Sequence, residues 1–304
     1  MTTLKTLTVY LGSSGRARPL YQEAAESFGG LIGESGLGLV YGGMDAGLMG
    51  QVAAGALRAG ATVTGIIPKK LQDSERILKG LSETILVEDL WERKQKMFER
   101  ADAIVTLPGG FGTLDETLEV LYWGSLKLHA MPLVLVNIEG YWDRIIDYLE
   151  TLPDFDRRFL LVVPDIEDAI PALKNWSPPS VVKQAANLPH FEDEILRETS
   201  NPIIIDKANI ANSYYAICAL GLKQLGKHAR PIGFLNTDNQ FGAMIDWLHR
   251  AEKEKFITEK CLTLFDTADT EEKLTALLKT QSTVSIDLHK EKWGERRGNP
   301  RQQS

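Results

Sequence analysis

Ala103-Ile-Val-Thr-Leu-Pro-Gly-Gly-Phe-Gly-Thr-Leu-Asp-Glu116 holds the stretch whose reading decides the fold. Ala103–Leu107 is a short apolar run with β-branched residues, the mark of a buried strand. From Leu114 to Leu126 the apolar residues recur at helical spacing, so a strand passes into a helix through Pro108–Thr113. Gly109, Gly110 and Gly112 let that turn converge its N–H groups, and the helix start adds partial positive charge. Such a turn suits a phosphate. It is not a Walker A loop, because no Gly-Lys-Ser/Thr follows, and its glycine spacing differs from the dinucleotide fingerprint. The competing reading is a tight turn with Thr113-x-x-Glu116 as a capping box worth about 1 kcal/mol. A cap needs no cluster of glycines, which favours phosphate binding by Gly109, Gly110, Phe111, Gly112 and Thr113, with Glu116 as a catalytic group. Glu119 lies one turn further on the same side and reads as a support residue or a surface charge.

Outward from this stretch the pattern repeats. Leu7–Leu11, Leu37–Tyr41, Thr62–Ile67, Thr84–Val87 and Leu133–Val136 also read as buried parallel strands. Between them Leu20–Glu34, Leu48–Arg58, Leu90–Arg100 and Trp142–Leu149 read as helices. The alternation predicts an α/β fold with a Rossmann-like, doubly wound parallel sheet whose ligands sit beyond the carboxyl ends of the strands. Of the 26 glycines, 20 lie in residues 1–140, many just after a strand. Gly12-Ser13-Ser14-Gly15 and Tyr41-Gly42-Gly43 are two further glycine loops, the second running into Gly47-Leu-Met-Gly50. Each alone could be a mere turn; three on one sheet edge make a nucleotide cleft the better hypothesis. Trp91-Glu92-Arg93-Lys94 precedes the glycine stretch, and for Glu92 and Lys94 a solvated charge run is the bland alternative. Glu75 read alone is an ordinary loop acid.

The 304 residues are 43% hydrophobic and 25% charged, an ordinary globular mix. A net charge of −7 and the lack of a basic stripe argue against nucleic-acid binding. Cys218 and Cys261 sit in apolar runs and read as buried thiols, not as a disulfide or metal ligands. Met1–Leu11 reads as a first strand and not as a signal peptide. No apolar run approaches the ~18 residues of a membrane span. The expectation is a cytoplasmic protein.

Asn175-Trp-Ser-Pro-Pro-Ser180 reads as a linker, since its prolines stop the helical pattern Ile166–Lys174. Beyond it lies an internal repeat. A shift of 99 residues places His129-Ala-Met-Pro132 on His228-Ala-Arg-Pro231, Asn137 on Asn236 and Asp147 on Asp246. The same shift places Pro108–Glu116 on Lys207–Tyr215, which has lost every glycine and the glutamate, and Arg93 on Glu192. The expected organisation is a catalytic domain over 1–177, a degenerate αβ half-domain over 186–290 with strands Ile203–Ile205 and Ile232–Leu235, and a frayed tail over 291–304. The alternatives are an unrelated α/β appendage or a helix-rich arm.

Gly12-Ser-Ser14, Tyr41-Gly-Gly43, Gly47-Leu-Met-Gly50, Ile67-Pro68, Glu92-Arg-Lys94 with Met97, and Pro108–Glu116, in that order, resemble the LONELY GUY (LOG) family. Its members are cytokinin-riboside 5′-monophosphate phosphoribohydrolases, often mislabelled lysine decarboxylases. The resemblance covers roughly residues 4–175 and centres on a specific PGGxGTxxE motif. It implies a Rossmann-like fold, a homodimer or a dimer-based oligomer, and no cofactor. It assigns the catalytic pair to Arg93 and Glu116 and a substrate-contacting glutamate to Glu75. Substrate contacts are likewise expected at Gly12, Ser13, Gly43, Lys94 and the loop Gly109–Thr113. Trp91 stands where the family often has His, Asp115 replaces a commoner Glu, and Met44 replaces a third glycine; these departures bear on the base pocket.

The expected reaction is hydrolysis of the N-glycosidic bond of a nucleoside 5′-monophosphate, AMP or a cytokinin riboside monophosphate. A carboxylate beside the ribose suits its oxocarbenium-like transition state. Two rivals stand beside it. A non-catalytic nucleotide carrier or sensor needs only the glycine loops, and retention of Arg93 with Glu116 argues against it. A pyridoxal-phosphate decarboxylase needs a Schiff-base lysine with an acid partner for the ring nitrogen, which nothing marks here.

Overall fold

In the computed structural model, which describes residues 4–71, 77–179 and 188–288, Thr6–Tyr10 forms β1. The chain continues through α1 (Pro19–Glu34), β2 (Gly38–Tyr41), α2 (Gly47–Arg58), β3 (Val63–Pro68), β4 (Glu83–Val87) and α3 (Leu90–Glu99). Then come β5 (Ala103–Thr106), α4 (Phe111–Ser125), β6 (Leu133–Val136), α5 (Asp143–Thr151), β7 (Leu160–Val163) and α6 (Ala169–Asn175). These seven strands form one parallel sheet in the order β4-β3-β2-β1-β5-β6-β7. Strand order reverses between β1 and β5, so the loops after these neighbours splay apart and leave a crevice at the carboxyl edge.

The strand and helix runs read from the sequence fall on these elements with small shifts at their ends. The central strands β1, β5 and β6 are buried along almost their whole length, as continuous apolar runs between two helical layers must be. The edge strand β4 is largely exposed. Leu160–Val163, not among the expected strands, pairs with β6 and adds the seventh.

After residue 188 the chain forms α7 (Glu192–Arg197), β8 (Ile203–Ile205), α8 (Ile210–Gln224), β9 (Ile232–Leu235), α9 (Gly242–Lys253), β10 (Asp266–Ala268) and α10 (Glu271–Thr280). The three strands make a second parallel sheet, ordered β10-β9-β8. Helix α8 packs along α4, and α9 along α5, so the hydrophobic core runs through both sheets' helical layers without a break. Cys218 and Cys261 are buried free thiols. No helix among the described residues is long and apolar enough to cross a membrane. Glu75 and the tail from 291 to 304 lie outside the described residues.

Candidate active site

Helix α4 begins earlier than a Thr113–Glu116 capping box would require. Gly110 is its N-cap, with no side chain capping it, and Phe111 is its first residue. Thr113 therefore sits inside the first turn, and Glu116 lies beyond it with its carboxylate free for other work. The turn is held from below: the Gly12 N–H donates to the Pro108 carbonyl at 3.1 Å, and the Tyr141 hydroxyl donates to the Gly109 carbonyl. The two glycine loops at the strand-order reversal are thereby tied to each other.

Glu116 faces Arg93 from α3, Nη2 to Oε1 at 3.4 Å, and both side chains are largely buried. Gly42 explains how the guanidinium reaches there. A Cβ on Gly42 would lie 2.4 Å from Arg93 Nη2 and 2.5 Å from Met49 Cε, so a side chain there would displace the ends of both as they pass β2. Arg93 Nε is buried with no hydrogen-bond partner among the described residues. Burial pushes the Glu116 carboxyl up to about 7, with Arg93 pulling it down and Asp115 adding to the rise. A carboxyl in that range exchanges a proton readily at neutral pH, which general acid–base work requires.

Lys94, the next residue, turns inward instead of lying on a solvated face. Its Nζ lies 3.1 Å from Asp115, 3.0 Å from Glu119 and 3.0 Å from Glu192 of α7. Burial opposes the charge on Lys94, but Asp115, Glu119, Tyr214 and Glu192 hold its pKa well above the ordinary lysine value. Glu119 is fully buried and accepts a hydrogen bond from Tyr214, so it is a support residue and not a surface charge. Burial carries it up to about 8 despite Lys94. Burial likewise raises the neighbouring Asp115 carboxyl, with the Lys94 ammonium pulling it back down. Asp115, Glu192 and Cys218 also place ligand-type atoms within 4.8 Å of one another, but the Lys94 ammonium already supplies the positive charge there.

A cleft of about 560 Å³ opens over this arrangement, lined among others by Ser13, Arg93, Gly110, Gly112, Thr113 and Glu116. Lys94, Met44, Met49 and Pro68 also reach it. Of the described residues expected at the substrate, four do not line the cleft: Gly12, Gly43, Gly109, whose Cβ position is filled by Thr113, and Phe111. Phe111 is fully buried and packs toward Gly221 of α8. A Cβ on Gly12 would meet the Phe256 ring at 2.6 Å, and one on Gly43, where φ is +75°, would meet Ile67. Gly43 thus serves the backbone and Gly12 a close approach. Gly112 has open space at its Cβ position and faces the cleft. Trp91 stacks on His190 at 3.9 Å and stays out of the cleft lining. The sequence offered no signal for Glu192, Leu222 or Leu225, which also line it, because they come from beyond the linker.

The family described as "Possible lysine decarboxylase" matches residues 49–173 and 216–278 of this chain. A cytokinin riboside 5′-monophosphate phosphoribohydrolase of Rhodococcoides fascians is 39% identical over 180 residues, spanning 57% of this chain and 91% of that protein. The Arabidopsis thaliana cytokinin riboside 5′-monophosphate phosphoribohydrolase LOG7 is 36% identical over 180 residues, spanning 57% of this chain and 83% of its own length. Among solved structures, the molybdenum cofactor binding protein of Rippkaea orientalis aligns over 57% of this chain and 98% of its own at 20% identity. Its TM-score of 0.47 adds nothing to the strand order already described.

Proposed function

The chain belongs to the LOG family, also described as possible lysine decarboxylases, and from that premise we propose that it hydrolyses the N-glycosidic bond of a nucleoside 5′-monophosphate. The products are a free base and ribose 5-phosphate. The observation that carries the reading is the buried Arg93–Glu116 pair one helical turn from the uncapped start of α4, in a single cleft.

The phosphate sits at the start of α4, where N–H groups and the helix dipole meet it and Gly112 leaves room. This anchoring is remote binding energy that orients the reacting bond. Glu116, as carboxylate, stabilises the positive charge that develops on the ribose and accepts a proton from the attacking water. The water oxygen bonds to C1′ as the C1′–N bond breaks; the departing base nitrogen takes a proton from solvent, and Glu116 returns the water's proton to solvent. Arg93 holds Glu116 in place and lines the cleft beside it. Lys94 acts through Asp115 and Glu119, fixing the face of α4 that carries Glu116.

AMP and a cytokinin riboside monophosphate are the first substrates to offer, in a panel of nucleoside monophosphates followed by chromatography. Free base and ribose 5-phosphate should appear without added metal and in the presence of EDTA. Tight binding of AMP with no release of base would favour the carrier reading. A homodimer, if formed, needs a face other than α4–α5, which α8 and α9 already cover.

A further inference from the structure

The 99-residue shift holds in the backbone as well as in the sequence. Helices α4 (Phe111–Ser125) and α8 (Ile210–Gln224) coincide under it residue for residue, as do β6 (Leu133–Val136) and β9 (Ile232–Leu235). Left-handed residues recur in register: Lys127 with Gly226, Glu139 with Asp238, Gly140 with Asn239. His129 Nε2 bonds the Val120 carbonyl at 2.9 Å, and His228 Nε2 the Ala219 carbonyl at 2.9 Å. Asn137 accepts from the Trp142 N–H at 2.7 Å, and Asn236 from Phe241 at 2.8 Å. The family match itself extends over residues 216–278. Independent α/β units share a general shape, but they do not share turn conformations and hydrogen bonds at one constant offset.

Contacts between the two copies are reciprocal. Asp115 lies against Cys218, the counterpart of Glu119, while Glu119 bonds Tyr214, the counterpart of Asp115. Trp142 stacks on Trp247, the counterpart of Tyr148, with ring centroids 5.5 Å apart. Tyr148 in turn meets Phe241, the counterpart of Trp142, at 6.4 Å. Residue i touching j′ while j touches i′ is the signature of a two-fold, isologous interface. A perfectly symmetric pair would bring four acids together across the axis; Tyr214 and Cys218 stand where the second pair would be.

We propose that residues 192–280 are a decayed copy of the catalytic unit's second half, which serves as its internal partner and completes the cleft with a specificity wall from α8. Two observations join the copy to the site. The turn at Lys255–Ile257 lies under both glycine loops: the Ser14 hydroxyl donates to the Lys255 carbonyl at 2.5 Å, and a Cβ on Gly110 would meet the Phe256 carbonyl oxygen at 2.9 Å. Leu196, Leu222, Leu225 and Lys227 line the same cleft as Arg93 and Glu116. With the phosphate at α4 and the ribose at Glu116, the base meets the apolar lining that remains, Met44, Met49 and Pro68 from the first sheet's side and Leu222 and Leu225 from the copy. That assignment rests on the hydrolase reading.

The repeat supplies its own matched control. Leu225 and Leu126 are counterparts at the ends of α8 and α4, exposed to 43% and 42%, but only Leu225 lines the cleft. Leu225→Glu should raise KM for AMP about tenfold, change the ranking among nucleotides with different bases, and leave kcat within about threefold. Leu225→Met should restore wild-type values, and Leu126→Glu should match wild type throughout. If Leu225→Glu and Leu126→Glu behave alike, the wall has no role and the proposal falls. Wild-type protein that releases no base from any nucleotide overturns the hydrolase reading alone. The wall is then read from the dissociation constant of AMP in the same proteins, where equal constants overturn it; no binding of AMP overturns both.

Discussion

Helices α4 and α8 have the same length and follow equivalent strands, but their first turns are satisfied differently. At α8 the Asn209 side chain accepts from the Asn212 N–H at 2.7 Å, and Asp154 takes the Ile210 N–H at 2.9 Å. An acid from the seven-stranded half of the chain, Asp154, thus takes an N–H group that could otherwise meet an anion. At α4 Gly110 brings no side chain, and the cleft lies open above Gly112. The same fold element starts uncapped beside a cleft at α4 and is closed by side chains at α8. A helix start binds an anion only where nothing in the protein has already answered its N–H groups.

The largest effect that tests this contrast is at Glu116. Glu116→Gln should lower kcat by about a thousandfold or more with AMP binding nearly unchanged, because its work is done in the transition state. Tyr215→Phe, at the counterpart position, should keep kcat within about twofold. The wild-type kcat/KM should fall as pH drops through about 7, since the active form is the carboxylate and burial holds its pKa there. A pH profile flat from 5 to 9 would remove Glu116 from that role.

Next in size is Lys94→Met, which leaves Asp115, Glu119 and Glu192 buried without their cation. Urea denaturation should show a loss of about 3 kcal/mol. The counterpart Asp193 is exposed, and Asp193→Ala should stay within about 0.5 kcal/mol of wild type. The smallest effect is at Gly112, where alanine places a methyl in the open space of the cleft. Gly112→Ala should raise KM for the monophosphate about tenfold with little change in melting temperature. An unchanged KM would move the phosphate away from the start of α4.

The glycine loops and Glu116 stand out in the sequence through a local signal, three glycines at a strand–helix junction, whereas Arg93 sits in an ordinary charge run and is singled out only by the resemblance to the LOG family. Lys94 and Glu119 were harder to read. On a helix of unknown neighbours, a lysine and a glutamate look solvated, and only α7 and α8 settling over them shows that they are buried. Gly42 read as part of a turn, but its reason is the passage of a guanidinium that arrives from α3. Trp91 marked a departure from the family pattern, and its partner is His190, on the far side of residues 180–187.

The sequence by itself determined the parallel sheet, the crevice edge and the 99-residue offset on which α4 and α8 coincide. Apolar runs of strand length, glycines after them and a constant 99-residue offset are properties of neighbours along the chain or of direct self-comparison. Only the tertiary structure decided that the two copies meet through reciprocal contacts, that Phe256 underlies Gly12 and Gly110, and that Leu225 faces the cleft. Those contacts join residues separated by about a hundred positions or more. Burial of two apolar helix faces against each other selects them, and a face records that it will be covered without recording by what.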